Sequence, residues 1–187
     1  MPEPAENDES ALADAPDADE AEAADPTAAL IAELRSRRLT IAVAESLTGG
    51  LLTAELIRIP GASASVTGGI VAYNTELKKS LLGVDSSVLN VHGAVHPDVA
   101  VQMAVGVRGA LAVRGVRAGV GVATTGAAGP DAQDGQEPGT VFIGVSIGSA
   151  AWSVPLKLEG DRQSVREQTV AQAIQAVREL LARDDAE

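Results

Sequence analysis

The sequence predicts a three-layer α/β/α domain built on a mixed, mostly parallel β-sheet. Three observations carry this. In the first half, short runs rich in Val, Ile and Ala alternate with segments of helical period, as in parallel strands joined by helices. Near the end, two such runs flank Gly148-Ser149, the pattern of an antiparallel hairpin. Phe, Trp and Tyr occur once each, so Val, Ala, Leu and Ile must fill the interior, which suits a sheet covered on both faces.

The elements follow in order. Residues 28–38 carry Leu30, Ile31 and Leu34 at helical spacing and end in basic residues, as a helix C-terminus favours. Residues 40–45 (TIAVAE) read as a strand. Residues 51–59 place Leu52, Leu56 and Ile59 on one helical face, and Pro60-Gly61 stops that helix. Residues 69–73 (GIVAY) read as a second strand, and residues 75–82 as a helix closed by Gly83. Residues 85–96 read as a loop. Pro97 suits the first turn of a long helix with Val99, Met103, Val107 and Leu111 facing inward. Residues 118–124 form a strand whose Gly119, Gly121 and Ala123 share one face, small enough for a helix backbone to approach. A Gly/Pro/Asp-rich loop (126–139), strands at 140–147 and 152–158, and an amphipathic helix over 162–183 complete the chain.

Length and charge narrow the function classes. The 187 residues suffice for one well-buried domain. Ten of the 26 acidic residues and none of the 14 basic ones fall within residues 1–26, which read as a disordered acidic tail ahead of a domain at 27–185. The remainder holds 16 acidic against 14 basic side chains, so no basic stripe exists to bind a nucleic acid. Without cysteine there is no disulfide, thiolate metal site or cysteine nucleophile. No apolar run approaches the ~20 residues of a membrane span, and the N-terminus has no basic leader, so a cytoplasmic location is expected.

Three segments at predicted strand ends carry groups able to do chemistry. Glu45-Ser46-Leu47-Thr48-Gly49-Gly50 joins a strand to a helix, where Ser46 reads either as a helix cap or as a nucleophile. The helix-opening N–H groups there can hold an anion or an oxyanion. The segment lacks the Gly-Lys-Ser/Thr ending of a phosphate-binding loop. Lys78 lies about one turn into the helix after Tyr73-Asn74, and is either a surface charge or a base whose pKa burial must lower. Thr124-Thr125-Gly126-Ala127-Ala128-Gly129-Pro130 is either a tight turn or a substrate contact. Ser–Lys pairs are an established alternative to the Ser-His-Asp triad. His92 and His96 have a metal-like spacing, but Gly93 and Pro97 break the helix that would align them, so no metal is expected.

These segments resemble the C-terminal domain of the CinA (competence/damage-inducible) family, whose stand-alone members are nicotinamide-nucleotide amidohydrolases. The likeness runs over roughly residues 28–183. It rests on AESLTGG (44–50), PGAS (60–63), GGIVAYNTELKKSLLGV (68–84), HGAV (92–95), TGAAGPD (125–131), PGTVFIG (138–144) and GDRQSVR (160–166). Leu47 stands where the family usually has Cys, and the family's aromatics near Ser65 and Val66 are missing.

The resemblance implies cofactor-free hydrolysis of nicotinamide mononucleotide to nicotinic acid mononucleotide and ammonia. Ser46 would be the nucleophile, Lys78 its base and Thr125 an assisting hydroxyl. Gly49 and Gly50 would offer N–H groups to the oxyanion. Thr48, Asn74, Gly126, Gly129 and Arg162 would hold the nucleotide, although Arg162 could equally cap or pair on the last helix. The likeness also implies a homodimer or larger homo-oligomer. It further implies that the molybdopterin-binding-like domain of larger relatives is absent, since only the acidic tail precedes residue 27. The alternative is a non-catalytic nucleotide-binding or regulatory module, and the family name suggests a third reading in competence or DNA repair.

Overall fold

The computed structural model describes residues 25–184. They hold a five-stranded sheet of order β2-β1-β3-β4-β5, from β1 (Ile41–Glu45), β2 (Val66–Val71), β3 (Val120–Gly126), β4 (Thr140–Ile147) and β5 (Ala150–Lys157). β1 pairs in parallel with β2 and β3, whereas β4 is antiparallel to both β3 and β5. Four of the five strands therefore run one way and only β4 is reversed. By direction the sheet is mostly parallel; by pairing it is evenly split.

Six α-helices lie among the described residues: α1 (Pro26–Ser36), α2 (Leu51–Ile57), α3 (Thr75–Leu82), α4 (Ser86–His92), α5 (Pro97–Ala110) and α6 (Arg162–Asp184). α1, α2 and α6 cover one face, where Leu30, Leu34, Leu52, Leu56, Ile174 and Leu181 pack on Ile41, Val43, Val122 and Ile143. α3 and α5 cover the other, where Leu82, Val99, Met103 and Val107 meet Ala42, Ala44 and Ala123. The period-two alternation along β1 thus sorts its side chains between two cores. No helix among the described residues is long and apolar enough to cross a membrane.

The small residues of β3 have the expected use. A Cβ on Gly121 would lie 2.0 Å from the Ala104 carbonyl oxygen, and one on Gly144 of β4 would lie 2.0 Å from that of Ala100. The backbone of α5 thus rests directly on the sheet.

Several boundaries differ from the sequence reading. Of the stretch read as a tail, residues 1–24 lie outside the described residues. Asp25 and Pro26 belong to α1: the Asp25 carboxylate caps it by accepting from the N–H groups of Thr27 and Ala28, and Pro26 opens the first turn. The segment at 85–96 is not all loop, because α4 occupies most of it. Asp85 caps α4 through the Ser87 N–H, but none of its residues is buried, so it left no apolar period to read. β2 begins three residues earlier than expected, at Val66. Its Thr67-Gly68-Gly69 stretch has weak strand propensity and is recruited by pairing with β1.

The chain leaves β1 for β2 on one side and returns past β1 to β3 on the other. The two crossovers lie on opposite faces of the sheet, which opens a crevice at the carboxyl ends of β1 and β3.

Candidate active site

Ser46 is the first residue beyond β1, at the mouth of that crevice. Its N–H donates to the Thr124 carbonyl on β3 at 3.0 Å, extending the parallel ladder by one residue. Its hydroxyl is nearly shut off from solvent.

Lys78 approaches it from α3. Asn74 caps that helix by accepting from the Glu76 N–H at 2.9 Å, and the register then puts Lys78 and Leu82, four apart, on the inward face. Lys79 is exposed and Lys78 is 0% exposed. The Lys78 Nζ stands 3.0 Å from Ser46 Oγ and 2.8 Å from the Ala72 carbonyl oxygen, to both of which it donates as drawn. Burial disfavours the ammonium and lowers the Lys78 pKa from 10.5 to about 8, with the negative charge of Asp134 pulling weakly the other way. Near neutral pH a usable fraction of this amine is uncharged. The same contact can then run in reverse, with Oγ–H donating to the nitrogen lone pair.

A small cleft of about 80 Å³ opens onto Ser46, lined by Leu47, Tyr73, Gly126, Ala128, Gln133 and Arg162. Arg162 spans its rim, donating from Nη1 to the Gly129 carbonyl at 2.9 Å and from Nη2 to the Tyr73 hydroxyl at 3.1 Å. Tyr73 is 61% exposed and leaves an aromatic face at the entrance. A larger groove of about 410 Å³, between α1, α2 and α6, shares none of these residues; its one hydroxyl, that of Thr27, donates to the Glu55 carboxylate at 2.7 Å.

The other expected site residues are placed differently. The Thr125 hydroxyl is buried and donates to the Ala94 carbonyl at 2.7 Å; it makes no bond to Ser46 or Lys78. The Thr48 hydroxyl is also buried and shares a 2.8 Å bond with the Thr124 hydroxyl, so it faces the protein and not the cleft. Gly50 donates its N–H to Glu45 Oε2 at 2.8 Å, and Gly49 donates its N–H to the Ser46 carbonyl at 3.2 Å. Neither N–H is left for an oxyanion. Asn74 spends its side-chain oxygen on the α3 cap. Gly126 does line the cleft, and Gly129 takes part only by holding Arg162. His92 and His96 stack with ring centroids 4.2 Å apart, and His96 Nδ1 accepts from the Asp98 N–H at the start of α5.

Three residues escaped the sequence reading. Glu45 is fully buried and turns its carboxylate onto the start of α2. It accepts from the N–H groups of Gly50, Leu52 and Thr53 and from the Thr53 hydroxyl at 2.6–3.1 Å. An acidic residue just before a helix-opening turn was the available signal. Tyr73 lies just beyond β2, a strand end the sequence marked, whereas Gln133 comes to the cleft on the loop at 127–139, which no local pattern shows.

The chain matches the family model described as the CinA C-terminal domain over residues 24–181. A CinA-like protein of Frankia casuarinae is 45% identical over 149 residues, which make up 80% of this chain and 33% of that protein. Protein MG115 homolog of Mycoplasma pneumoniae is 44% identical over 157 residues, or 83% of this chain and 97% of that protein. Among solved structures, a competence-damaged protein (CinA) superfamily protein of Klebsiella pneumoniae 700603 superposes with a TM-score of 0.78. It is 31% identical and covers 84% of this chain and 96% of that one. The chain thus spans about a third of the Frankia relative and nearly all of the Mycoplasma one.

Proposed function

The chain belongs to the CinA C-terminal domain family, and from that premise we propose that it is an amidohydrolase of the cytoplasm that deamidates nicotinamide mononucleotide. The single observation that supports this best is the dry 3.0 Å contact between Lys78 Nζ and Ser46 Oγ. A buried lysine with a pKa of about 8 is suited to act as a base, and the hydroxyl beside it as its nucleophile.

The reaction then divides into two acyl transfers. Uncharged Lys78 takes the Ser46 proton as Oγ attacks the carboxamide carbon. The proton passes to the amide nitrogen, the C–N bond breaks and ammonia leaves, with the acyl group held as an ester on Ser46. Lys78 next takes a proton from water, whose oxygen attacks the ester carbon. Nicotinic acid mononucleotide departs and the proton returns to Oγ. Since Glu45 and the Ser46 carbonyl occupy Gly50 and Gly49, we assign the oxyanion to the N–H groups of Leu47 and Thr48, which make no hydrogen bond among the described residues.

A cleft of about 80 Å³ takes the carboxamide end and not a whole mononucleotide. The ribose and phosphate would lie over the rim, with Tyr73 as a stacking face and Arg162 as a forked phosphate donor. We also infer a homo-oligomer, from family resemblance alone.

The test is ammonia release from nicotinamide mononucleotide. Wild type should turn it over, and Ser46→Ala should lose roughly 10³-fold or more in kcat. Full activity in that variant removes the assigned nucleophile. Binding by calorimetry with no ammonia formed would favour the non-catalytic module instead.

A further inference from the structure

Arg166 lies one helical turn beyond Arg162 on α6, but it faces the protein where Arg162 faces the cleft. Its Nε donates to the Leu47 carbonyl and its Nη2 to the Thr48 carbonyl, each at 3.0 Å, while Nη1 donates to Gln163 Oε1 at 2.9 Å. The guanidinium plane therefore bridges two successive carbonyls of the turn that follows Ser46. Gly49 lies beneath it with φ +62°, and a Cβ there would come to 3.5 Å from Nη2.

We propose that Arg166 is a positioning residue for the Ser46 turn, clamping its carbonyls from the α6 side while Glu45 clamps its N–H groups from the core. The inference rests on reading Ser46 as the nucleophile.

Two oppositely charged side chains divide the turn between them. The Glu45 carboxylate takes the donors at Gly50, Leu52 and Thr53, and the Arg166 guanidinium takes the acceptors at Leu47 and Thr48. The neighbouring Val165 packs with Leu47, Ala128 and Val141, which seats the first turns of α6 against the same segment. The consequence follows from peptide planarity. In a trans peptide the N–H points opposite to the C=O of the same unit. Holding the Leu47 carbonyl toward Arg166 therefore aims the Thr48 N–H away from it. That N–H is one of the two donors left for the oxyanion. Without the clamp the peptide is free to rotate, and the loss appears in the chemical step more than in substrate binding.

A lysine in this place keeps the charge but cannot bridge two carbonyls in one plane. The experiment compares wild type, Arg166→Lys and Arg166→Ala by kcat and KM for ammonia release from nicotinamide mononucleotide, with and without added guanidinium ion. It also follows the labelling rate of Ser46 by phenylmethylsulfonyl fluoride, read by intact mass, and the Tm of each protein. The expected result is a kcat lower by roughly 10- to 100-fold in both variants, with KM within about threefold. Ser46 labelling should slow, and guanidinium should restore part of the loss in Arg166→Ala. A folded Arg166→Ala with wild-type kcat and labelling rate overturns the proposal, as does a loss confined to KM, which would make Arg166 a substrate contact. A wild type that forms no ammonia and takes no label removes Ser46 as the nucleophile, and the clamp with it. An active wild type matched by its Arg166 variants removes the clamp alone.

Discussion

Lys78 Nζ and Ser46 Oγ meet at 3.0 Å although their backbones belong to different elements, a helix on one face of the sheet and the turn that leaves β1, the strand between β2 and β3. Lys78 is wholly buried, and Ser46 meets solvent only through the small cleft. The pair therefore shares protons under conditions set by burial.

The first expectation concerns pH. In the proposed mechanism the reactive form is the free amine, and the Lys78 pKa is lowered to about 8. Turnover per encounter should thus rise as pH increases toward 8 and level off above it. A kcat/KM profile from pH 6 to 10 checks this. Lys78→Arg, charged throughout that range, should be inactive at every pH; a flat profile with an active Arg variant would leave no role for a basic lysine.

The same shift makes stability depend on pH. Between about 8 and 10.5 the folded protein has given up a proton that the unfolded chain still holds. Raising the pH through that window therefore stabilises the native state, by on the order of 3 kcal/mol in total. Lys78→Met lacks this term. Thermal melts of both proteins should show the wild type gaining on the variant as pH rises from 8 to 10. A constant difference in Tm would mean that Lys78 titrates alike in the two states.

Thr125 separates structure from chemistry. Its hydroxyl satisfies the Ala94 carbonyl, whose residue also donates its N–H to Asp134 at 2.6 Å. Thr125→Val should cost about 1–3 kcal/mol of stability by orphaning that carbonyl, and lower kcat less than about tenfold. A kcat loss as deep as that of Ser46→Ala, in a stably folded variant, would instead assign Thr125 to the proton path.

Gly121 tests the seating of α5. An added methyl meets a backbone carbonyl, which cannot rotate away as a side chain could. Gly121→Ala should lower Tm by roughly 5 °C or more. An unchanged Tm would show that the helix can lift from the sheet at little cost.

Much of this was legible in the chain, in an uneven way. Wherever a face is buried, the period showed it: Leu30, Ile31 and Leu34 in α1, Val99, Met103 and Val107 in α5. α4 was missed because none of its residues is fully buried, Val88 and Leu89 only leaning on the core. Ser46 and Lys78 could be set at predicted strand ends, but each kept a bland alternative, and only the family resemblance paired them; that Lys78 shares the inward face of its helix with Leu82 came from the fold. What could not be read was the choice among partners. Thr48 and Thr125 were equally able to face a ligand, and only the packed fold gives them Thr124 and Ala94. Gly49 and Gly50 resembled free donors, but the turn gives the first to the Ser46 carbonyl and the Glu45 carboxylate takes the second.

That internal cap has a cost for recognising anions. With the opening amides of α2 satisfied by Glu45, the dipole of that helix adds little positive potential to the entrance. Arg162 is the one charged group among the residues lining the cleft, and it stands in water. If the ligand is a mononucleotide, the preference over its uncharged nucleoside would rest on a single screened cation. Selectivity would then shrink as ionic strength rises past the point where the Debye length falls below about 10 Å.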